Sequence, residues 1–283
     1  MSAIHFEACS ACGKTGPSRT FHVCSGCQRV LYCGPACQRE HWRHIHKKEC
    51  KESARAEFQR LLRAATAGDV EAQCRTGIYL LTGVGVTADA VGAVSWLLKA
   101  AKAGNLEAQS RLAICYLHGS GVAVDAMKAV RWLRKAAEAG DPEAQHNLSV
   151  SYRRGNGVTL DERQAVFWTR RAAEAGIEEA QFNLGYYLIE GFGVDADAAQ
   201  GVIWLHRAAN AGHVPAQGTL GVCYLSGKGV AVDPARAVAL FRRAAEAGNT
   251  YAHNNLGACY LTGNGVAADA VEAVRLFRIA AER

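Results

Sequence analysis

The chain has 283 residues, 49% of them hydrophobic, with a formal charge of +6 and 11 cysteines. That is enough apolar chain for a sizeable core, and no run of about 18 apolar residues exists, which excludes a membrane-spanning helix. The start, MSAIHFEACSAC, lacks a charged segment followed by an apolar one, so no secretory signal is expected and the cytoplasm or nucleus is the expected compartment.

Seven cysteines, Cys9, Cys12, Cys24, Cys27, Cys33, Cys37 and Cys50, fall within the first fifty residues. In a chain without an export signal such a cluster points to metal rather than to disulfides. Residues 1–52 carry 8 basic and 4 acidic side chains, and the remainder 24 and 22. Seven thiolates on two Zn²⁺ ions would reduce the head's +4 to about +1, so its basic excess largely disappears.

The spacings Cys9-x2-Cys12, Cys24-x2-Cys27 and Cys33-x3-Cys37 each suit half of a tetrahedral site, and Cys50 with a histidine supplies the fourth half. Helix periodicity selects the histidine within CQREHWRHIHKKEC. At about 100° per residue His46 lies about 40° from Cys50, while His44 and His41 lie about 120° and 180° away. Both sites are then closed, so the two zinc ions are expected to be structural, their binding energy going into folding a head too small for its own core. Spacing alone leaves adjacent, interleaved and nested pairings of the half-sites open.

The run CSGCQRVLYCGPACQREHW followed by HKKEC resembles the MYND-type zinc finger over residues 9–50. A RING finger would place a histidine among its middle ligands and close with x2 spacing, and this segment does neither. The resemblance implies interleaved pairing, with Cys9, Cys12, Cys33 and Cys37 on one zinc and Cys24, Cys27, His46 and Cys50 on the other. It also implies recognition of short proline-containing peptides through Gln38 and Trp42. A tryptophan beside a strand edge at Arg29–Tyr32 suits an extended peptide adding to a sheet, whereas the plainer expectation is that Trp42 packs the finger onto the first repeats.

Residues Ala54–Ala67 read as a lone helix capping a repeat array. From Gly68 the glycines Gly68, Gly104, Gly140, Gly176, Gly212 and Gly248 recur every 36 residues, which sets units at 68–103, 104–139, 140–175, 176–211, 212–247 and 248–283. Each unit reads as two antiparallel helices. The first carries an alanine (Ala72, Ala108, Ala144, Ala180, Ala216, Ala252), a leucine four residues on in five of the six units, and an aromatic one turn later. A Gly-x-Gly-Val element then ends it, the first glycine suiting a left-handed C-cap. Three residues past the valine stands Asp89, Asp125, Asp161, Asp197, Asp233 or Asp269, positioned to cap the second helix, with Pro234 at a first helical position. Such pairs bury their faces only by stacking, so an all-α solenoid of six helix-turn-helix repeats behind a small two-zinc domain at 1–52 is expected, with residues 53–67 as the link.

The pattern of alanine, Leu-Gly, tyrosine, GxGV, aspartate and tryptophan resembles the Sel1-like repeat family, a relative of the tetratricopeptide repeat, over residues 68–283. Trp96, Trp132, Trp168 and Trp204 give way to Leu240 and Leu276, and the last helix carries Val274, Phe277 and Ile279 on a face suited to a dimer, a partner or cover by its own arginines. By analogy with tetratricopeptide arrays, the inner wall would hold His146, Arg153, Arg154, Phe182 and Tyr186, with the arginines suited to an acidic or C-terminal peptide. Cys74, Cys115, Cys223 and Cys259 and the tryptophans are expected in the core.

These features point to a non-enzymatic adaptor whose finger recruits a short peptide and whose repeats recruit another protein. The alternatives are a non-catalytic subunit of an enzyme complex and a nucleic-acid-associated regulator using Arg39, Arg43, Lys47, Lys48 and Lys51. The repeats leave no room for a SET methyltransferase domain, no Gly-x-Ser-x-Gly, Walker or HExxH motif occurs, and the weak net field of the head disfavours nucleic acid.

Overall fold

The computed structural model describes strands β1 (Phe6–Ala8), β2 (Thr15–Pro17), β3 (His22–Val23) and β4 (Leu31–Tyr32) as backbone, the backbone from Lys47 to Glu282, and side chains from Glu52 to Glu282. It divides into two compact units, Met1–Asp125 and Ala126–Arg283.

In the first unit β1 pairs antiparallel with β2 in the register Phe6↔Pro17, and β3 with β4 in the register His22↔Tyr32. β1 also lies beside β4. Helix α1 (Lys47–Thr66) then runs unbroken for 20 residues, passing through the expected 52/53 boundary and starting seven residues before the expected capping helix. Nothing between Cys50 and Ala54 is a helix stop: KESA contains neither Gly nor Pro. Its Phe58, Leu61 and Ala65 are buried against α2 (Val70–Thr82) and α3 (Ala90–Lys102), with Leu80, Ala93 and Ala72 as partners. The unit ends with α4 (Leu106–His118), which packs on α3.

The second unit contains α5 (Ala126–Glu138), α6 (Pro142–Arg154), α7 (Glu162–Glu174), α8 (Glu178–Glu190), α9 (Ala198–Ala211), α10 (Val214–Ser226), α11 (Pro234–Glu246), α12 (Thr250–Thr262) and α13 (Ala270–Ala281). Within this unit each helix packs on its sequence neighbours, as stacked hairpins require.

The loops repeat one hydrogen-bonded design. Gly83, Gly119, Gly155, Gly191, Gly227 and Gly263 close their helices at φ between 66° and 72°, or 75° for Gly227, each donating its N–H to the carbonyl four residues back. The aspartate N–H reaches back nine residues, as in Asp197 to the Leu188 carbonyl at 2.8 Å. Its carboxylate then caps the next helix: Asp89, Asp161, Asp197, Asp233 and Asp269 each accept from the amide three residues on. A second set of caps, Asp69, Asn105, Asp141, His213 and Asn249, opens the first helix of each unit, while Ile177 supplies no side-chain bond.

The second loop glycine has a separate task. At Gly85, Gly121, Gly157, Gly193, Gly229 and Gly265 a Cβ would collide with the backbone carbonyl that opens the second helix of the preceding repeat, or, for Gly85, with that of Ala54 in α1. α1 therefore occupies the second-helix place of a zeroth repeat, with two extra turns reaching back to Lys47.

The core matches the expected stripe in part. Ala108, Ala144, Ala180, Ala216 and Ala252 are fully buried, and Leu112, Leu148, Leu184, Leu220 and Leu256 sit beside them. The aromatic position is Tyr152, Tyr224 or Tyr260 in some repeats but Leu80 and Leu188 in others, so an aromatic is not required there. On the second helices the deepest residue is not the tryptophan but the one after it, Leu97, Leu133, Thr169, Leu205 or Phe241, all at 0% exposure. Burying each of the large apolar members contributes roughly 1.5–3 kcal/mol. The tryptophans keep one face toward a cation one turn on: Lys99 stands 4.1 Å from the Trp96 ring centroid and Arg207 4.4 Å from that of Trp204.

Candidate interaction face

All the expected zinc ligands except Cys50, and both peptide-contacting candidates Gln38 and Trp42, lie outside the described residues. Cys50 falls on the first turn of α1, where only the backbone is described. In chain order, Cys9 and Cys12 stand between β1 and β2, Cys24 and Cys27 between β3 and β4, and Cys33 directly after β4.

The described array exposes another candidate. Along the first helices, three positions spaced i, i+4 and i+7 form a stripe. Its occupants are Cys74, Ile78 and Leu81 in the first repeat and Ser110, Ile114 and Leu117 in the second. The later repeats place His146, Val150 and Arg153, then Phe182, Tyr186 and Ile189, then Gly218, Val222 and Leu225, and finally Asn254, Ala258 and Leu261. The last position is aliphatic in every repeat except the third, where Arg153 stands.

Several charged groups on these helices have partners, while the buried Thr76 Oγ1, Gln109 Oε1 and Gln145 Oε1 have none among the described residues. Glu190 takes an ion pair from Lys228 at 2.9 Å, and Glu107 from Arg111 at 3.0 Å. His213 accepts the Ala216 N–H at Nδ1, which leaves Nε2–H to donate to Glu179 at 2.8 Å. Phe182 lies on the His213 ring at 4.9 Å between centroids. Arg153 and His146 are the titratable side chains among these orphans: Arg153 Nε and His146 Nδ1 are buried atoms without a hydrogen-bond partner.

The two arginines that the sequence pairs are separated by helix geometry. Arg154 is exposed, whereas Arg153 is half-buried and its charge acts on Tyr187, a residue that the sequence pattern does not single out beside the exposed Tyr186. Burial raises the Tyr187 phenol and lowers the His146 imidazole, which keeps both neutral near neutral pH. The signal for Arg153 lies in the sequence, in the comparison of positions 81, 117, 153, 189, 225 and 261. The arrangement supplies one unpaired cation, two neutral polar rings and adjacent apolar surface, a recognition chemistry rather than a reactive one.

The remaining cysteines are core, as expected. Cys74, Cys115, Cys223 and Cys259 are buried, and burial pushes all four thiols up, that of Cys74 to about 12. None is a ready nucleophile. Among the described residues no helix is long and apolar enough to cross a membrane.

The Sel1 repeat family matches residues 70–105, 106–141, 142–177, 178–213, 214–249 and 250–283. The chain belongs to the Sel1 repeat family. The MYND finger family matches residues 9–50. A Sel1 repeat protein of Oxalobacter formigenes has a similar structure, with 28% identity and a TM-score of 0.72 over 86% of this chain and 94% of that one. A protective antigen of uropathogenic Escherichia coli strains, displaying an SLR fold, is 35% identical with a TM-score of 0.76, covering 80% of this chain and 48% of that one. Two Arabidopsis thaliana proteins match over finger-sized stretches: a histone-lysine N-methyltransferase at 40% identity over 52 residues, and ubiquitin carboxyl-terminal hydrolase 19 at 46% over 43. The chain spans only 10% and 6% of these two proteins. Sel1 repeats and MYND fingers generally mediate protein–protein interactions, and Sel1 repeat proteins are generally non-catalytic scaffolds.

Proposed function

We propose that this Sel1 repeat protein is a non-enzymatic adaptor, its finger recruiting a short peptide and its repeat array a second protein. The observation that carries the reading is the union of two interaction modules in one chain, joined by the unbroken helix α1. The short matches to the two plant enzymes bring no catalytic activity with them, because they extend over so little of either.

Within the finger, the donor set of seven thiols and one imidazole fits two closed zinc sites. Cys9, Cys12, Cys33 and Cys37 would hold one ion, and Cys24, Cys27, His46 and Cys50 the other. The backbone supports this assignment: β1 and β4, the strands leading into Cys9 and Cys33, lie beside one another, and Cys50 sits at the start of α1, where its ion would tie the finger to the array. The metals hold shape, and peptide contact falls to Gln38 and Trp42. The proposed domain limits are 1–52, 53–67 and 68–283, with α1 continuous across the first of these limits.

Affinity capture with the intact protein, Trp42→Ala and a finger-deleted form tests the reading. Two separable sets of partners are expected, one lost with Trp42 and one retained by the finger-deleted form. Identical partners for all three would refute it.

A further inference from the structure

We propose that Arg153, with His146 and Tyr187 beside it, is a binding subsite for a side-chain carboxylate of an acidic peptide segment, whose neighbouring apolar residues lie along the first-helix stripe of repeats three and four. The inference rests on the reading of the array as a protein-binding scaffold and names the chemistry of what it binds.

Three observations converge. The first is register: the position is Leu81, Leu117, Ile189, Leu225 and Leu261 elsewhere, so an aliphatic residue satisfies the fold there and the arginine is not needed to build it. The second is the absence of a partner. Arg153 makes no hydrogen bond or ion pair with any described residue, and its Nε is buried. The nearby carboxylate that acts on this cluster, Glu179, is already held by His213 at 2.8 Å, and Glu143 lies on the exposed first turn of α6. With Nε closed to solvent, the terminal nitrogens of the half-buried guanidinium are the donors that a carboxylate can reach, and a partner there offsets the unpaired charge.

The third is placement. His146 and Arg153 are seven residues apart on α6, so they share a face within about 20° and lie about 10 Å apart along the axis. His146, half-buried with its Nδ1 closed to solvent and unpartnered, marks the other end of the same face. Between and beside them Val150 and the exposed Tyr186 provide apolar contact for the flanking residues of an extended segment. Acidic peptide is thus favoured over a basic or purely apolar one by charge complementarity, and Arg154, exposed on a different face, is not part of the subsite.

The test uses the full-length zinc-loaded chain and two fluorescein-labelled, C-terminally amidated nonapeptide pools. Both are degenerate in Leu, Val, Pro and Tyr around one central residue, Asp in one pool and Asn in the other. By anisotropy the Asp pool is expected to bind about tenfold more tightly, the scale of one charge-assisted contact. Arg153→Leu, which restores the residue of the other repeats and so should fold, is expected to bring the ratio to about one, while Arg154→Leu leaves it unchanged. The Arg153 Nε–Hε resonance should also shift on adding the Asp pool, a change that a purely structural arginine would not show. Equal binding of the two pools, no binding of either, or an Asp preference that survives Arg153→Leu would overturn the subsite. None of these outcomes bears on the adaptor reading, which stands or falls on the affinity capture.

Discussion

Gly218 and Gly221 lie three residues apart on α10, and the same substitution is expected to act on them with opposite sign. In a helix interior Gly→Ala contributes roughly 1 kcal/mol by lowering the entropy of the unfolded chain and completing the helix surface. At Gly218 a Cβ would meet only Tyr251 Cδ1, at an ordinary 3.5 Å, and Tyr251 is exposed. Gly218→Ala should therefore stabilise by roughly 0.5–1 kcal/mol. At Gly221 the Cβ would stand 2.5 Å from Phe241 Cε1 and 2.9 Å from Cδ1 and Cζ, against a ring with 0% exposure. The ring or the helix must yield by about 1 Å, and overpacking of that kind costs about 1–3 kcal/mol, which outweighs the helix gain. Adding Phe241→Leu to Gly221→Ala recreates the alanine and leucine found at positions 113 and 133 and should recover most of the loss. Because a repeat array need not unfold in one step, the readout is hydrogen exchange of the α10 and α11 amides rather than a single melting point. The reasoning fails if both glycine substitutions move protection in the same direction, or if leucine at 241 rescues nothing.

Other outcomes rest on the loop chemistry and the buried polar groups. Asp197→Ala removes the carboxylate that accepts from the Gln200 amide and should cost about 1 kcal/mol in local opening of α9, read by amide exchange. Gly193→Ala combines a φ of +61° with a Cβ set 2.6 Å from the Glu162 carbonyl oxygen, and should lose more than about 2 kcal/mol of protection in α8 and α9. Gly176→Ala, at φ +97° with open space around it, should cost only the backbone strain, roughly 1 kcal/mol. His146 and His206 are both lowered by burial, so the unfolded chain takes up protons first as pH falls through the ordinary imidazole range near 6.5. Stability contributed above that range is then lost on acidification, and the loss of α6 amide protection between about pH 7.5 and 5.5, corrected for intrinsic exchange, should be smaller for His146→Phe. Arg153→Leu should keep or raise the amide protection of α6, since it replaces an unpaired half-buried cation with the aliphatic residue of the other repeats.

The repeat length, the C-cap glycines and the aspartate caps were legible because each expresses physics within a few residues of chain: a left-handed turn, an orphan amide, a helix that must stop. Contacts made one repeat away were not. Nothing local marks Gly193 as the seat for the Glu162 carbonyl, and the recurring glutamine is equally silent: Gln73, Gln109, Gln145, Gln181 and Gln217 each reach a carbonyl eight residues earlier, across the turn between repeats. The tryptophans drew attention to themselves as core residues, yet the fully buried position is the next one along, where leucine, threonine or phenylalanine carries no distinctive sequence signal. α1 extended past its expected start because the finger's last residues happen to favour helix. Of the candidate site, His146 and Arg153 were visible by register, while Tyr187 needed the packing of α8 against its neighbours to reveal it.

Repeat three gathers polar groups that a core usually avoids. Thr169 sits at 0% exposure where other repeats place leucine or phenylalanine, and the Gln145 Oε1, His146 Nδ1 and Arg153 Nε atoms are all buried without partners. Each such orphaned atom costs on the order of 1–3 kcal/mol when left unsatisfied, and in a globular domain that sum would threaten the whole fold. In a solenoid it does not, because stability is a chain of nearest-neighbour terms and each repeat answers mainly to the two beside it. The rest of the frame is intact: Asp141 and Asp161 still cap the helices of repeat three, Gly155 still closes its loop, and the fully buried Leu184 and Leu205 anchor the next repeat. The architecture thereby keeps such costs local: Thr76 Oγ1 and Gln109 Oε1 are single orphans in the first two repeats, while four of the six buried orphans among the described residues fall in the third. That places the strongest case for recognition in the array at the repeat where unpartnered polar groups are most concentrated.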